Sequence, residues 1–274
     1  VQPEMGIITS VGEMHLETFG SVESVARTKF ELIDALPAGG FGVVNIDSEA
    51  AARHLTMLMR NVATYAIDSA DADYRAVNIC YAATDTTFDL ATKGGVVEGL
   101  STHILGRGNI LNITAALAVA DHLGISPEAQ RRAVRQIEQV EHRLSMRRSG
   151  GITILDDAYN SNPTGARMAL EVLVGFATSG SRYVVTPGFV EMGAKQYANN
   201  RTFGEDIAAA QPDGVYVVNE VNRAAITEGL AAGGYPAERV TTVASFAEAM
   251  ASLQPQLRAG DVVLYENDLP DSFK

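Results

Sequence analysis

Five short apolar runs in the second half of the chain, 152–155, 182–186, 214–218, 239–243 and 262–265, alternate with four segments of helical periodicity, 164–177, 199–210, 221–231 and 246–257. This alternation constrains the fold more than any other feature. Strand and helix taken in turn imply parallel strands with crossover helices, a doubly wound, Rossmann-like α/β sheet. In such sheets ligands gather at the carboxyl edge, where each strand turns into its helix. The first of these turns reads Asp156-Asp157-Ala158-Tyr159-Asn160-Ser161-Asn162-Pro163 and is far more polar than packing requires. Asn162 suits an N-cap and Pro163 the first helical turn. Two adjacent carboxylates, a phenol and two amides can grip hydroxyls, a base edge or a phosphate-bound metal. A plain polar turn with an Asx cap accounts for the same residues.

The first half begins with strand signals at 5–11, 41–46 and 62–67 and helix signals at 21–36 and 48–59. Ser21 is the expected N-cap of the earlier helix, with Glu23 in its first turn. Three further strand signals, 75–82, 86–92 and 95–104, carry turn residues that suggest an antiparallel appendage. Helices are expected from Asn109 to Leu123 and from Pro127 to Gln139. The basic, Ser- and Gly-containing stretch from His142 to Gly150 reads as a linker. It divides the chain into domains 1–145 and 146–274, in keeping with a length of 274 residues.

The net charge of −12 argues against a broad basic surface for nucleic acid or an anionic membrane, but leaves room for an anionic small ligand held by local cations and backbone amides. The single cysteine, Cys80, excludes an intrachain disulfide; in a strand signal it reads as a buried structural thiol. Reducing cytoplasm fits this usage. No apolar run approaches membrane-spanning length and no signal peptide is evident. The start at Val1-Gln2-Pro3, without Met, reads as that of a fragment.

The string DDAYNSNP resembles the motif that opens the C-terminal domain of Mur ligases. Further strings fit in the same order: GEMHLETFGSVESVARTK from Gly12, LGRGNILNITAALA from Leu105, HRL from His142, VTPGFVEMG from Val185, QYANNRTFG from Gln196 and YENDLPDSF from Tyr265. The resemblance covers essentially the whole chain. It is narrowest to the branch that adds D-alanyl-D-alanine to UDP-muramoyl tripeptide with ATP and Mg2+. It implies a partial central ATP-binding domain, built of βα units plus a small antiparallel part, followed by a Rossmann-like C-terminal domain. It implies small-molecule partners only, without nucleic acid or membrane insertion.

The resemblance also assigns residues. His15, on the loop after the first strand, matches a magnesium ligand, although magnesium prefers oxygen. Lys29 lies on the apolar stripe of its helix, four residues after Val25 and four before Ile33. By itself it fits a snorkelling lysine; the resemblance makes it a carbamate, whose oxygens suit magnesium better than an amine does. Asn109 and Asn112 match the adenine side of the ATP site. Gly108 stands where the family usually has His, a departure that bears on the base contacts. Arg143 matches the arginine that reaches the ATP phosphates, with Arg147 and Arg148 as linker charges. Asp156 or Asp157 would hold the ribose, beside Tyr159 and Asn160. Gly188, Glu191, Asn267 and Asp268 follow strands; the acceptor dipeptide pocket and plain loop roles fit them equally.

One departure is large. No GxxxxGK[ST] string occurs in the chain, so the phosphate-cradling loop of an ATP-dependent ligase is not among its residues. Two classes of function follow. The parent is an ATP-dependent amide ligase, or a paralogue with another carboxylate or amine, of which this chain is an inactive part. Alternatively, the chain is a non-catalytic module that binds a nucleotide or a partner through the 156–162 turn.

Overall fold

The computed structural model describes residues 2–12, 19–58, 62–81, 85–159 and 161–269, and these form two compact units. The first comprises mainly residues 1–80, 84–103 and 107–137, the second mainly 138–274. The change of unit after Ile137 lies a few residues before the expected linker.

The first unit contains one six-stranded sheet in chain order, β1 (Met5–Ile8), β2 (Phe41–Asn45), β3 (Ala63–Ala66), β4 (Tyr74–Tyr81), β5 (Thr86–Thr92) and β6 (Gly95–Thr102). Strands β1 to β4 run parallel, and β5 and β6 form an antiparallel hairpin. The antiparallel part is therefore an edge of the same sheet and not an appendage. Helices α1 (Val22–Asp34) and α2 (Glu49–Leu55) cover one face; α3 (Arg107–His122) and α4 (Pro127–Arg135) belong to the other. Val43 and Val44 show the reason. They are neighbours in β2, so they point to opposite faces, and they enter different apolar clusters. Ser21 caps α1 as expected, accepting from Ser24 N at 3.1 Å.

Two expectations fail locally. Cys80 is exposed, not buried. Asn78 has φ +55°, which interrupts the two-residue alternation of β4. Ala76 and then Ile79 face the core, and Cys80 falls on the other side. Asp47, which no reading singled out, organises the end of β3. Its Oδ2 accepts the N–H groups of Ile67 (2.6 Å) and Asp68 (3.0 Å), and its Oδ1 accepts Ser69 N (2.9 Å) and Oγ (2.8 Å). Burial acts to raise its pKa, but these donors outweigh it and hold the carboxyl below its ordinary value. Asp47→Ala removes an ionised acceptor from three backbone donors and should cost about 2–4 kcal/mol in denaturant unfolding. A loss below about 1 kcal/mol would mean that water replaces the carboxylate without penalty.

The second unit holds a six-stranded sheet in the order β11-β10-β9-β12-β8-β7. Its strands are β7 (Ser145–Ser149), β8 (Ile152–Asp157), β9 (Arg182–Thr186), β10 (Gly214–Val218), β11 (Val240–Val243) and β12 (Val262–Glu266). All pairs are parallel except β7 with β8. Helices α5 (Pro163–Gly175), α6 (Gln196–Ala210) and α7 (Arg223–Ala232) pack on one face, and α8 (Phe246–Leu253) on the other. The doubly wound fold class read from the alternation is therefore present. The stretch read as a linker is not an open one: 145–149 is a strand, hairpin-paired with β8 through Gly150-Gly151. Arg147 and Arg148 lie on this edge strand, where charged side chains are compatible with pairing.

Candidate functional site

Strand β8 extends two residues beyond the apolar run that announced it, so Asp156 and Asp157 belong to the strand. Adjacent strand residues face opposite sides of the sheet, and the two carboxylates accordingly meet different partners.

Asp156 is only 2% exposed. His142 Nδ1 lies 3.1 Å from each of its oxygens, Arg147 Nη2 donates to Oδ2 at 2.7 Å, and Ala158 N donates to Oδ1 at 3.3 Å. Arg147 is thus paired with a buried carboxylate and is not a free linker charge. Asp157 accepts Leu144 N at Oδ1, 2.9 Å away, while its Oδ2 accepts no hydrogen bond from a described residue. His142 and Leu144 hold left-handed backbone, with φ +60° and +51°. Such conformations are costly for residues with a Cβ, and more so for a bulky one such as leucine. The Leu144 side chain, buried in the apolar cluster, and its bond to Asp157 hold the segment in place.

Register pairs Asp157 with Glu266 at the end of β12, on one face of the sheet. Glu266 is fully buried; its Oε1 accepts Ser161 Oγ and its Oε2 has no partner among the described residues. Burial, and then the neighbouring Asp157 charge, push its pKa well above the carboxylate range. Burial likewise raises Asp157 to about 6, partly offset by the Leu144 N–H and the Arg143 charge. A carboxyl whose folded pKa exceeds its unfolded value of 3.8 binds more protons folded than unfolded between the two values. Its contribution to stability therefore falls as pH rises from about 4 to about 6 and is flat above that. Asp157 should account for a loss on the order of 1 kcal/mol across this window, and Asp157→Asn should make the decline shallower, leaving the share of Glu266, whose raised pKa has the same sign. A wild-type profile that rises through the window would contradict the assignment.

Outside the buried cluster the turn is open. Tyr159 is 64% exposed, and the Arg143 guanidinium lies over its ring, 4.3 Å from the centroid. Tyr159 N donates to His142 O at 3.2 Å, fixing the pair. Asn162 caps α5 as expected, accepting Thr164 N and Gly165 N. Asn160 lies outside the described residues.

On the neighbouring loop, Gly188 has φ +72° and is packed so tightly that a Cβ would meet Asn200 Oδ1 at 2.1 Å. Glu191 and Asp268 are exposed. Asn267 differs: it is 8% exposed and both ends of its amide are engaged, Oδ1 by Ser161 N at 3.2 Å and Nδ2 on Gly188 O at 2.6 Å. Its side chain ties two segments of the second unit together.

The structure thus brings together Arg143, Asp156, Asp157, Tyr159, Gly188 and Asn267 in the second unit. Lys29, Asn109 and Asn112 belong to the first. Lys29 is half-buried on α1 and donates its Nζ to Ser10 O at 2.8 Å, beyond the carboxyl end of β1. Asn109 and Asn112 lie in the first turns of α3. His15 falls outside the described residues. Among the described residues no group of three His, Cys, Asp or Glu side chains is arranged to hold a metal, and no helix is long and apolar enough to cross a membrane.

Sequence reasoning missed His142, Ser161, Glu266, Asn200 and Asn222. Glu266 carried a readable signal, since it directly continues a wholly apolar run. The others are ordinary polar residues whose partners lie far along the chain.

The Mur ligase middle domain model matches residues 1–120, and the Mur ligase glutamate ligase domain model matches residues 142–265. The UDP-N-acetylmuramoyl-tripeptide–D-alanyl-D-alanine ligase of Escherichia coli (strain K12) is 30% identical over 228 residues, 82% of this chain and 50% of the relative. The Bacillus subtilis (strain 168) enzyme of the same name is 25% identical over 265 residues, 96% of this chain and 56% of that one. The chain thus spans about half the length of these curated relatives. In fold it resembles a MurF ligase from Thermotoga maritima solved in complex with ADP, with a TM-score of 0.83 at 22% identity over 98% of this chain and 59% of that one. A MurF from Acinetobacter baumannii gives a TM-score of 0.81 at 23% identity, over 97% of this chain and 57% of that one. The two domain matches together take in most of the chain, which belongs to the Mur ligase family.

Proposed function

We propose that this chain carries the nucleotide-edge and acceptor-side residues of an ATP-dependent amide ligase of peptidoglycan-precursor synthesis. The substrates proposed are those in the names of the E. coli and B. subtilis relatives, UDP-muramoyl tripeptide and D-alanyl-D-alanine. ATP phosphorylates the tripeptide carboxylate and leaves as ADP; the dipeptide amine attacks the acyl phosphate, and phosphate departs as the amide forms.

The observation that carries this reading is the turn after β8, where the Arg143 cation lies over the exposed Tyr159 ring beside Asp157. Arg143 supplies positive charge for a phosphate, and the Tyr159 ring a flat surface for a base or ribose. Asp157 suits a ribose hydroxyl better than Asp156, because both Asp156 oxygens are already engaged. Asn109 and Asn112 keep the adenine-side role on resemblance alone. Gly188, Glu191 and Asp268 keep the acceptor side, Gly188 through its backbone, while Asn267 acts behind them. Lys29, as a carbamate, and His15 keep the magnesium role that the resemblance implies.

One sequence fact favours a narrower role for the chain by itself. Phosphoryl transfer depends on cradling the β- and γ-phosphates, and no GxxxxGK[ST] string is present. Purified chain with ATP, magnesium and both substrates should release phosphate no faster than a protein-free blank. Substrate-dependent release well above the blank would show that the missing cradle is not needed.

A further inference from the structure

We propose that Asn267, supported by Glu266, is a positioning residue that couples the turn after β8 to the loop after β9, so that nucleotide bound at the turn also orders the loop. This rests on the nucleotide reading of the turn given above.

Strand β12 lies between β8 and β9, so the residue just past its carboxyl end can reach the loops that follow both neighbours. Asn267 occupies that point. Its φ of +67° is left-handed, a conformation that asparagine tolerates better than most residues with a Cβ. Three hydrogen bonds leave it: its backbone N donates to Asp157 O at 3.2 Å, its Oδ1 accepts Ser161 N at 3.2 Å, and its Nδ2 donates to Gly188 O at 2.6 Å. Glu266 reinforces the same side by accepting Ser161 Oγ, within a fully buried environment.

The two ends of this strut differ in freedom. The loop is tied at its first residues, 187–189, whereas Glu191 and Gly193 beyond them are exposed. Asn200 Oδ1 accepts Phe189 N at 2.8 Å, and Asn222 Nδ2 donates to Pro187 O and Phe189 O, each at 2.9 Å. On the turn side, Tyr159 stands open to solvent. A ligand that stills the turn therefore acts through Ser161 and the Asn267 amide on the Gly188 carbonyl. The Asn267 side chain hydrogen-bonds to both segments.

Amide hydrogen exchange on the full chain, with and without saturating ADP, tests this. In the wild type, ADP should slow exchange about threefold or more over 157–162 and also over 187–193. Asn267→Gly tolerates the positive φ and removes both side-chain ties, so ADP should still protect the turn but no longer the loop. Asn267→Asp keeps the acceptor for Ser161 N and loses the donor to Gly188 O; it should show the same selective loss, and it serves if the glycine variant does not fold. A merely structural strut would speed exchange with and without ADP alike and leave the ADP-induced difference at 187–193 intact, which would overturn the coupling. Protection of the wild-type turn alone would also overturn it while the nucleotide reading stands. Protection of neither segment would sink both.

Discussion

Gly229→Ala should abolish stable folding of the second unit, or lower its melting temperature by more than about 10 °C. Helices α6 and α7 meet through backbone, with Gly204 against Gly229. A Cβ at Gly229 would lie 1.9 Å from Arg201 O and 2.9 Å from Gly204 Cα, and neither atom is the end of a flexible side chain. The helices must move apart, which opens the cluster that Phe203, Ile207, Ile226 and Leu230 fill. Overpacking a good core costs about 1–3 kcal/mol, and a backbone clash at a helix crossing belongs at or above that limit. Whole domains are stable by only about 5–15 kcal/mol. Gly165→Ala is the control. It is also helical, its nearest atoms lie 3.7–3.9 Å away, and it should be neutral or stabilising. Equal melting temperatures for the two variants would mean that the helix crossing is looser than described.

Asn200→Leu should cost about 3 kcal/mol, again in the second unit. Asn200 is fully buried and makes four hydrogen bonds, accepting Phe189 N and donating to Phe189 O, Gln196 O and Asn222 Oδ1. Leucine has a similar volume but leaves the buried Phe189 N–H without an acceptor. Asn200→Asp keeps that acceptor but places its second oxygen against three acceptor atoms. Its carboxyl pKa should rise on folding, so this variant should be least stable above neutral pH and recover as the pH falls. A pH-independent loss would show that water enters the site and solvates the charge.

These two positions show what was legible in the sequence. The string from Gln196 carries family resemblance, and its Asn200 and Gly204 hold a loop and a helix crossing. The alternation of apolar runs and helical segments exposed the sheet of the second unit because local periodicity is enforced by burial on both faces. Caps such as Ser21 and Asn162 were legible because their partners are two or three residues away. Strand β7 was hidden, since an edge strand of Ser, Met and Arg has no apolar alternation to mark it. Cys80 was misplaced because a single left-handed residue, Asn78, shifts the face of every residue after it. The candidate site was legible only in part. Asp156 and Asp157 are neighbours in sequence, but their roles separate only when β7 and the segment before it bring Arg147, His142 and Leu144 to meet them. Asn267 could be named but not assigned, because whether an amide faces solvent or ties two loops depends on residues 79 and 106 positions away.

Nucleotide binding at the turn after β8 is tested most directly by a calorimetric titration of the intact chain with ADP. Wild-type chain should bind weakly, with a Kd on the order of 1 mM or somewhat tighter, since only the edge of a nucleotide site is present. Tyr159→Ala and Arg143→Ala should each weaken binding at least about fivefold. Both side chains are exposed, so melting temperatures should stay within about 2 °C of wild type. Undetectable wild-type binding at millimolar ADP, or equal affinity in all three proteins, would contradict the account.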